Sequence, residues 1–340
     1  MAHSLALRGW KVTVVDAADQ PASGASGLPA GLYAPFKSAD NNLTSQITEI
    51  GVEFTQRLAR FLQVEGLLVE GVDWQNSGVM TRKFGEPEDW IANAGWIKPA
   101  ALVKACLSHE NITWRGNCTV SKLVRDGEIW TLLNKKGETI DQTKTVVIAA
   151  SNQSAELVNT IRNGGTGTPL FPYRINFQAV RGQVSYGYLN ATSTNTTSTT
   201  PYPINGAGNY IETDTEWLVG ATYDRDNLSP APRLQDQVDN FKRLENLAPD
   251  KAAHFKSDFE RGLVRNWVGI RCATSDRLPA VGEVLPGLWL CTAMASRGLT
   301  FAPLCAEVIA AQILGENFGK EKPLNPRLIR ALSVQRHMKK

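Results

Sequence analysis

The period of the apolar positions changes several times along the chain, and each change marks an element. Residues 2–7 place apolar side chains on one helical face. Gly9 then offers a stop, since glycine accepts the left-handed conformation of a helix C-terminus. Residues 11–15 (KVTVV) are β-branched and read as a short buried parallel strand with Asp16 at its end. The next stretch, ADQPASGASGLPAG, has little to pack and suits close backbone approach. Residues 44–62 form a strong amphipathic helix, 71–80 a strand with turns, and 99–107 a helix with proline in its first turn. Strands are expected around 113–115 and 118–125. A hairpin, EIWTLLNKKGETI, turns near Lys136 and Gly137. Residues 145–150 (TVVIAA) repeat the buried parallel-strand pattern, and 190–200 form a low-complexity loop. Strand alternation returns over 209–222, a polar helix over about 235–247, and a strand–turn–strand–helix block from Arg261. In that block an amphipathic helix follows the turn ASRGLT, with Pro303 in its first turn. No internal repeat is present. Strands, then helices, then a return to the first sheet imply a discontinuous two-domain fold, α/β plus α+β.

Composition narrows the class. A chain of 340 residues with 42% hydrophobic and 20% charged residues has the ordinary balance of a globular protein with room for two domains. No apolar run is long enough to span a bilayer, and the N-terminus lacks a signal-peptide pattern, so a cytoplasmic protein without a membrane partner is expected. Five scattered cysteines (Cys106, Cys118, Cys272, Cys291, Cys305) make no C-x-x-C pair. They argue against a disulfide framework or structural zinc and suit a reducing compartment. The four histidines have no ligand spacing, so no metal is expected. Asn190 and Asn195 match a glycosylation pattern that would matter only in a secreted protein. Net charge is +3 but unevenly spread: Arg327, Arg330, Arg336, Lys339 and Lys340 crowd a tail without acids, just after Lys320 and Lys322. Such a tail is either a solvated helix end or a surface for a phosphate backbone.

Three stretches carry candidate chemistry. The opening helix–Gly–strand–Asp order reads as the second half of a nucleotide-binding βαβ unit, in which Asp16 accepts hydrogen bonds from an adenosine ribose. The same order is common in α/β proteins that bind no nucleotide. The glycine loop of such a unit would fall before Met1, so a missed or trimmed start, or a gene fragment, is expected. The second stretch, VGIRCATSDRLPAVG (268–282), sets Arg271, Arg277 and Asp276 among small residues and turns. Arg271 there is either a ligand contact or half of an ion pair with Asp276 or another acid. The third, ASRGLT (295–300), feeds a helix N-terminus, whose amides and dipole favour a negative or electron-rich group.

Together these stretches resemble the D-amino-acid oxidase superfamily of FAD enzymes. The tRNA-modifying branch is the most similar: the oxidoreductase acting on 5-carboxymethylaminomethyl-2-thiouridine, the oxidase half of bifunctional MnmC. The resemblance rests on GASGLPAGLYAPFKS (24–38), GWIKPAALVKACL (95–107), VVIAASNQ (146–153), RGQVS (181–185), GATYDRDN (220–227), GIRCATSDRLPAVG (269–282) and ASRGLTFAPLCAE (295–307), in family order over nearly the whole chain. It implies a discontinuous Rossmann-like FAD-binding domain (1–50, 96–165, 262–316), without its first strand and glycine loop. It also implies an antiparallel-sheet substrate domain (51–95, 166–261) and leaves 317–340 as a basic tail. By the same resemblance Asp16 holds the adenosine ribose, and Ser26, Gly27, Ala30 and Gly31 line the pyrophosphate and ribityl chain. Ser296, Arg297, Gly298, Leu299 and Thr300 approach the isoalloxazine. Arg271 grips a substrate carboxylate, and Tyr223 is either a pocket residue or a core or hairpin tyrosine. Ser151 stands where many relatives have glycine. The implied substrate is the anticodon region of tRNA, whose wobble-uridine carboxymethylaminomethyl group is oxidised to the aminomethyl form and glyoxylate. A separate or fused methyltransferase would act next. A free glycine, sarcosine or D-amino-acid substrate, or a non-catalytic tRNA-binding paralogue, remain alternatives. A plain NAD(P) dehydrogenase leaves the C-terminal block without a role.

Overall fold

The computed structural model describes residues 1–82, 85–164, 166–171, 173, 175–189, 200–316 and 325–338. Asn190, Asn195, Lys320, Lys322, Lys339 and Lys340 lie outside them. Eight helices are present among the described residues: α1 (Ala2–Ala6), α2 (Leu43–Val64), α3 (Pro99–Leu107), α4 (Gln153–Asn159), α5 (Leu234–Leu247), α6 (Pro249–Glu260), α7 (Gly298–Leu314) and α8 (Pro326–Leu332).

Two parallel pairs organise one side of the molecule. Val12–Val15 pairs with Ile112–Arg115, and Val146–Ile148 pairs with Leu288–Thr292, which also carries the antiparallel strand Ala280–Leu285. No described strand joins the two groups. The second group is covered on both faces. Leu288 and Leu290 face a core with Trp130, Leu123 and Ile161, while Trp289 and Cys291 face α7 and α8. Burial on both faces explains the unbroken apolar runs in these strands.

The other side is a mainly antiparallel eight-stranded sheet. Its longest member, Gln178–Tyr188, runs in register with Arg265–Ala273 and, on its other edge, pairs with Glu216–Gly220 and then Asp224–Arg225. Helices α5 and α6 close a core of Tyr210, Trp217, Leu244 and Phe255 against this sheet, with Trp217 stacked on Phe255 at 4.2 Å. Helix α6 is absent from the sequence expectation. Its apolar positions are few, and Pro249 at its start reads as a turn until α5 packs beside it.

Helix α7 departs from expectation twice. It begins at Gly298, so Pro303 lies inside it rather than in its first turn, and it is apolar all round because ten of its residues are buried. Proline lacks the N–H that would bond Leu299 O. The Thr55 hydroxyl donates to that oxygen instead, at 2.6 Å. One turn earlier on α2, Gly51 allows the close approach, since a Cβ there would overlap the Thr300 carbonyl. The contact fixes where the first turn of α7 sits.

The described part of the basic tail 317–340, residues 325–338, packs into the fold. Leu332 and Val334 are fully buried, and Ser333 bridges Val281. Arg336 holds Asp276 through Nε and Nη2, at 2.7 and 3.1 Å.

Candidate active site

Residues in left-handed conformation gather after the carboxyl ends of the parallel strands. Ala22 follows Val12–Val15, Asn117 follows Ile112–Arg115, Ser151 follows Val146–Ile148, and Ala293 and Ala295 follow Leu288–Thr292. Alanine or serine held there costs on the order of 1–2 kcal/mol. The crevice beyond these strand ends is also where open α/β sheets take ligands. Ser151, at φ 53°, therefore occupies a strained position that glycine would fill freely.

The turns after Val146–Ile148 and Leu288–Thr292 meet the end of the Arg265–Ala273 strand. Ala295 N–H donates to Cys272 O at 2.8 Å, Asn152 Nδ2 donates to Arg271 O at 3.3 Å, and Thr292 Oγ1 donates to Ser151 O at 3.1 Å. Asn152 Oδ1 is left buried with no partner.

Arg271 is half-buried. Burial pulls its pKa down, against a smaller opposing effect of Tyr223. Its guanidinium lies flat on Gly182 of the neighbouring strand, where any Cβ would overlap it. Among the described residues its guanidinium makes one hydrogen bond, a long one, from Nη1 to Thr222 O at 3.4 Å. No described carboxylate pairs with it, and Asp276 is taken by Arg336. Burial pushes the Asp276 carboxyl up, but Arg336, Thr274 and the Leu278 N–H together hold it at about 2. Arg271 is thus a desolvated cation with donors to spare, an arrangement that favours an anionic ligand. Tyr223, 49% exposed, lies beside it in the loop after Glu216–Gly220 with Arg225 over its ring, so it is not a core residue.

A second unpaired arginine lies at the start of α7. Burial, and then the charge of Arg277, lower the pKa of Arg297, whose guanidinium sits 5.1 Å from the ring centre of Phe36. Arg297 is the N-cap of α7 but makes no side-chain cap, and the amides of Gly298 and Leu299 donate to no described residue. Thr300 is buried against α2, and Ser296 is exposed. Gly31 opens the strand Gly31–Tyr33 under this turn: a Cβ on it would lie 2.7 Å from Leu299 Cδ1. Ala30 beside it is fully buried. Ser26 and Gly27 form a 3₁₀ turn at residues 25–27, and a Cβ on Gly27 would lie 3.2 Å from Trp267 Nε1. Gly31 and Leu299 are therefore brought together, while the turn at Ser26 and Gly27 lies against Trp267. Asp16 stands apart from them, exposed at the end of Val12–Val15. One of its oxygens accepts from Ala18 N–H at 2.8 Å, and the other is free.

Residues 85–312 match the DAO family, FAD dependent oxidoreductase. The chain belongs to this family of FAD-dependent oxidoreductases. Among curated relatives, it is 39% identical over 93% of its length to the tRNA 5-methylaminomethyl-2-thiouridine biosynthesis bifunctional protein MnmC of Polaromonas naphthalenivorans. It is 38% identical over 99% of its length to the protein of that name from Albidiferax ferrireducens. It spans 55% and 56% of the length of those two relatives. In fold it matches glycine oxidase from Geobacillus kaustophilus, with a TM-score of 0.76, 17% identity, and coverage of 99% of this chain and 95% of the other. Iminodiacetate oxidase from Chelativorans sp. BNC1 matches with a TM-score of 0.71 at 17% identity, over 95% of each chain. The enzyme is an oxidoreductase of the DAO fold, and its family's cofactor is FAD. The residues present suit that group: amides at the α7 N-terminus that donate to no described residue, available to an electron-rich oxygen, and a carboxylate oxygen on exposed Asp16 that accepts from no described donor.

Four residues of this neighbourhood escape sequence reasoning as site residues: Gly182, Thr222, Asn152 and Trp267. The available signal was glycine inside a strand. Gly182 and Gly269 interrupt otherwise strand-forming runs, and such glycines mark close approach of another group.

Among the described residues no helix is long and apolar enough to cross a membrane.

Proposed function

We propose that this enzyme oxidises the carboxymethylaminomethyl group on the wobble uridine of tRNA, giving the aminomethyl form and glyoxylate. The observation that carries the reading is Arg271: a half-buried guanidinium without an acid partner, laid on Gly182 beside the turn that opens α7. The likeness to the MnmC proteins supports the tRNA substrate, and in a longer relative a methyltransferase would take the aminomethyl product.

Asp16 would hold the adenosine ribose of FAD. Ser26, Gly27, Ala30 and Gly31 would line its middle, and Ser296 to Thr300 its ring system. When bound, FAD supplies the hydride acceptor. Arg271 takes the substrate carboxylate through its planar fork, which matches a carboxylate in two parallel hydrogen bonds. The Thr222 carbonyl steadies the guanidinium from one side, and Tyr223 borders the entrance. Held by the carboxylate, the methylene next to the amine keeps one orientation, and orientation of this kind supplies much of the rate when no strong base is needed. The methylene carbon gives up a hydride, the lone pair of the neutral amine nitrogen forms the C=N bond of an iminium, and water adds to the carbon as one proton leaves for solvent. The C–N bond then breaks, giving glyoxylate and the aminomethyl group. The free amides of Gly298 and Leu299, with Arg297 beside them, favour negative charge developing at the α7 end.

The test is to load the purified chain with FAD and incubate it with tRNA carrying the modification. Digested nucleosides are then analysed by mass spectrometry. The expected result is conversion to the aminomethyl nucleoside with one glyoxylate per conversion. Unchanged tRNA, with rapid oxidation of free glycine or sarcosine, would instead assign the enzyme to small amines.

A further inference from the structure

The Gln178–Tyr188 and Arg265–Ala273 strands put two glycines directly opposite each other, Gly182 and Gly269. Alternation along the second strand puts Trp267, Gly269 and Arg271 on one face, opposite Val184, Gly182 and Val180. Arg271 lies over Gly182, and the Trp267 ring lies over Gly269, where a Cβ would overlap it. Opposed residues of an antiparallel pair have Cα atoms about 4.5–5.5 Å apart, so a cation and an aromatic ring come to lie side by side on a floor without side chains. Trp267 is half-buried against a cluster that includes Ala30, Trp96 and Val184, and its Nε1 reaches the Gly27 turn. It therefore stands between the cofactor loop and the carboxylate-binding arginine.

We propose that Trp267 is a specificity-determining residue whose indole stacks on the pyrimidine ring of the substrate while Arg271 holds its carboxylate, the glycine pair setting both at one depth. The inference rests on the reading of a nucleoside-borne amine above. The chemistry fits the spacing. In the carboxymethylaminomethyl group only a methylene, the amine and a second methylene separate the carboxylate from the ring, so both ends reach adjacent places on one floor. A free amino acid would use the arginine alone.

The experiment is equilibrium dialysis of the FAD-loaded protein against two ligands with the same charges, 5-carboxymethylaminomethyluridine and N-methylglycine, followed by turnover of each. Base–aromatic stacking of the size seen in nucleic-acid sites gives about tenfold tighter binding of the nucleoside. Trp267→Leu is expected to bring the ratio of nucleoside to N-methylglycine affinity close to one, both measured on protein of equal flavin content, and Trp267→Phe to keep most of the advantage. Equal binding of the two ligands by the unaltered protein would overturn the inference without any variant, as would full preference in Trp267→Leu. Those outcomes leave the amine-oxidase reading standing if both ligands are turned over. Absence of binding and turnover with both would overturn that reading first.

Discussion

Two arginines on neighbouring strands, Arg181 fully buried and Arg271 half-buried, behave in opposite ways. Arg181 is fully buried and uses its donors within the protein: Nη1 to Asp236 at 2.5 Å, Nη2 to Gln183 Oε1 at 3.1 Å and to Ala231 O at 2.6 Å, and Nε to Ser229 O at 3.0 Å. Arg271, whose register partner Val180 is the residue before Arg181, has one long guanidinium hydrogen bond and no acid partner among the described residues. Arg181 ties down the loop that starts α5. Arg271 keeps its fork open. The difference shows that burial of an arginine is not itself a functional sign. What distinguishes a ligand-binding arginine is burial with donors unspent.

The largest expected effect breaks the structural half of this pair. Arg181→Ala should cost about 3–5 kcal/mol of stability, because Asp236 stays buried with only Arg233 to answer it. Denaturant unfolding reads this directly. Arg271→Ala should do the reverse: little change in the unfolding midpoint and retained flavin, with kcat/KM for the carboxylate-bearing amine falling about a hundredfold or more. Gly182→Ala sharpens the comparison by leaving Arg271 in place chemically while displacing its fork. A rise in KM of about tenfold is expected, by analogy with truncating one partner of a charge pair, and kinetics on FAD-loaded protein would show it. Thr55→Val, which removes the donor to the Leu299 carbonyl, should cost about 1–2 kcal/mol and weaken FAD retention in equilibrium dialysis. The smallest effect concerns Arg336 and Asp276. The folded Asp276 carboxyl at about 2 lies below its unfolded value, so the pair's contribution is fully present above the unfolded carboxylate range and is lost as pH falls toward 2. Acid unfolding of Arg336→Ala should show a shallower loss across that window.

Local pattern carried much of the fold. Helix α3 has the bounds its proline and periodicity predict, and α2 exceeds its predicted span by one residue at the start and two at the end. The hairpin turns at Gly137, φ 82°. The 118–125 strand starts late, at Lys122, because Cys118 is drawn to the Asp16 carbonyl by a backbone hydrogen bond. The extent of α7 was less legible, because Pro303 normally marks a helix start, and the Thr55 hydroxyl that reaches the Leu299 carbonyl lies 244 residues away in sequence. The same division holds at the site. Arg271 and the ASRGLT turn stand out in sequence, since their chemistry is in their own side chains and amides. Gly182 and Trp267 do not, since their importance lies in the register of two strands, which no local pattern states. Asp276 illustrates the opposite error: it is near Arg271 in sequence but spends itself on Arg336 in space.

The most direct measurement is a two-by-two comparison of kcat/KM, using the unaltered enzyme and Arg271→Ala against tRNA carrying either the carboxymethylaminomethyl group or the methylaminomethyl group, which lacks the carboxylate. If Arg271 holds the carboxylate, the unaltered enzyme prefers the first substrate by about a hundredfold and the variant treats the two alike. An unchanged preference in the variant would contradict the assignment of Arg271 and the mechanism built on it.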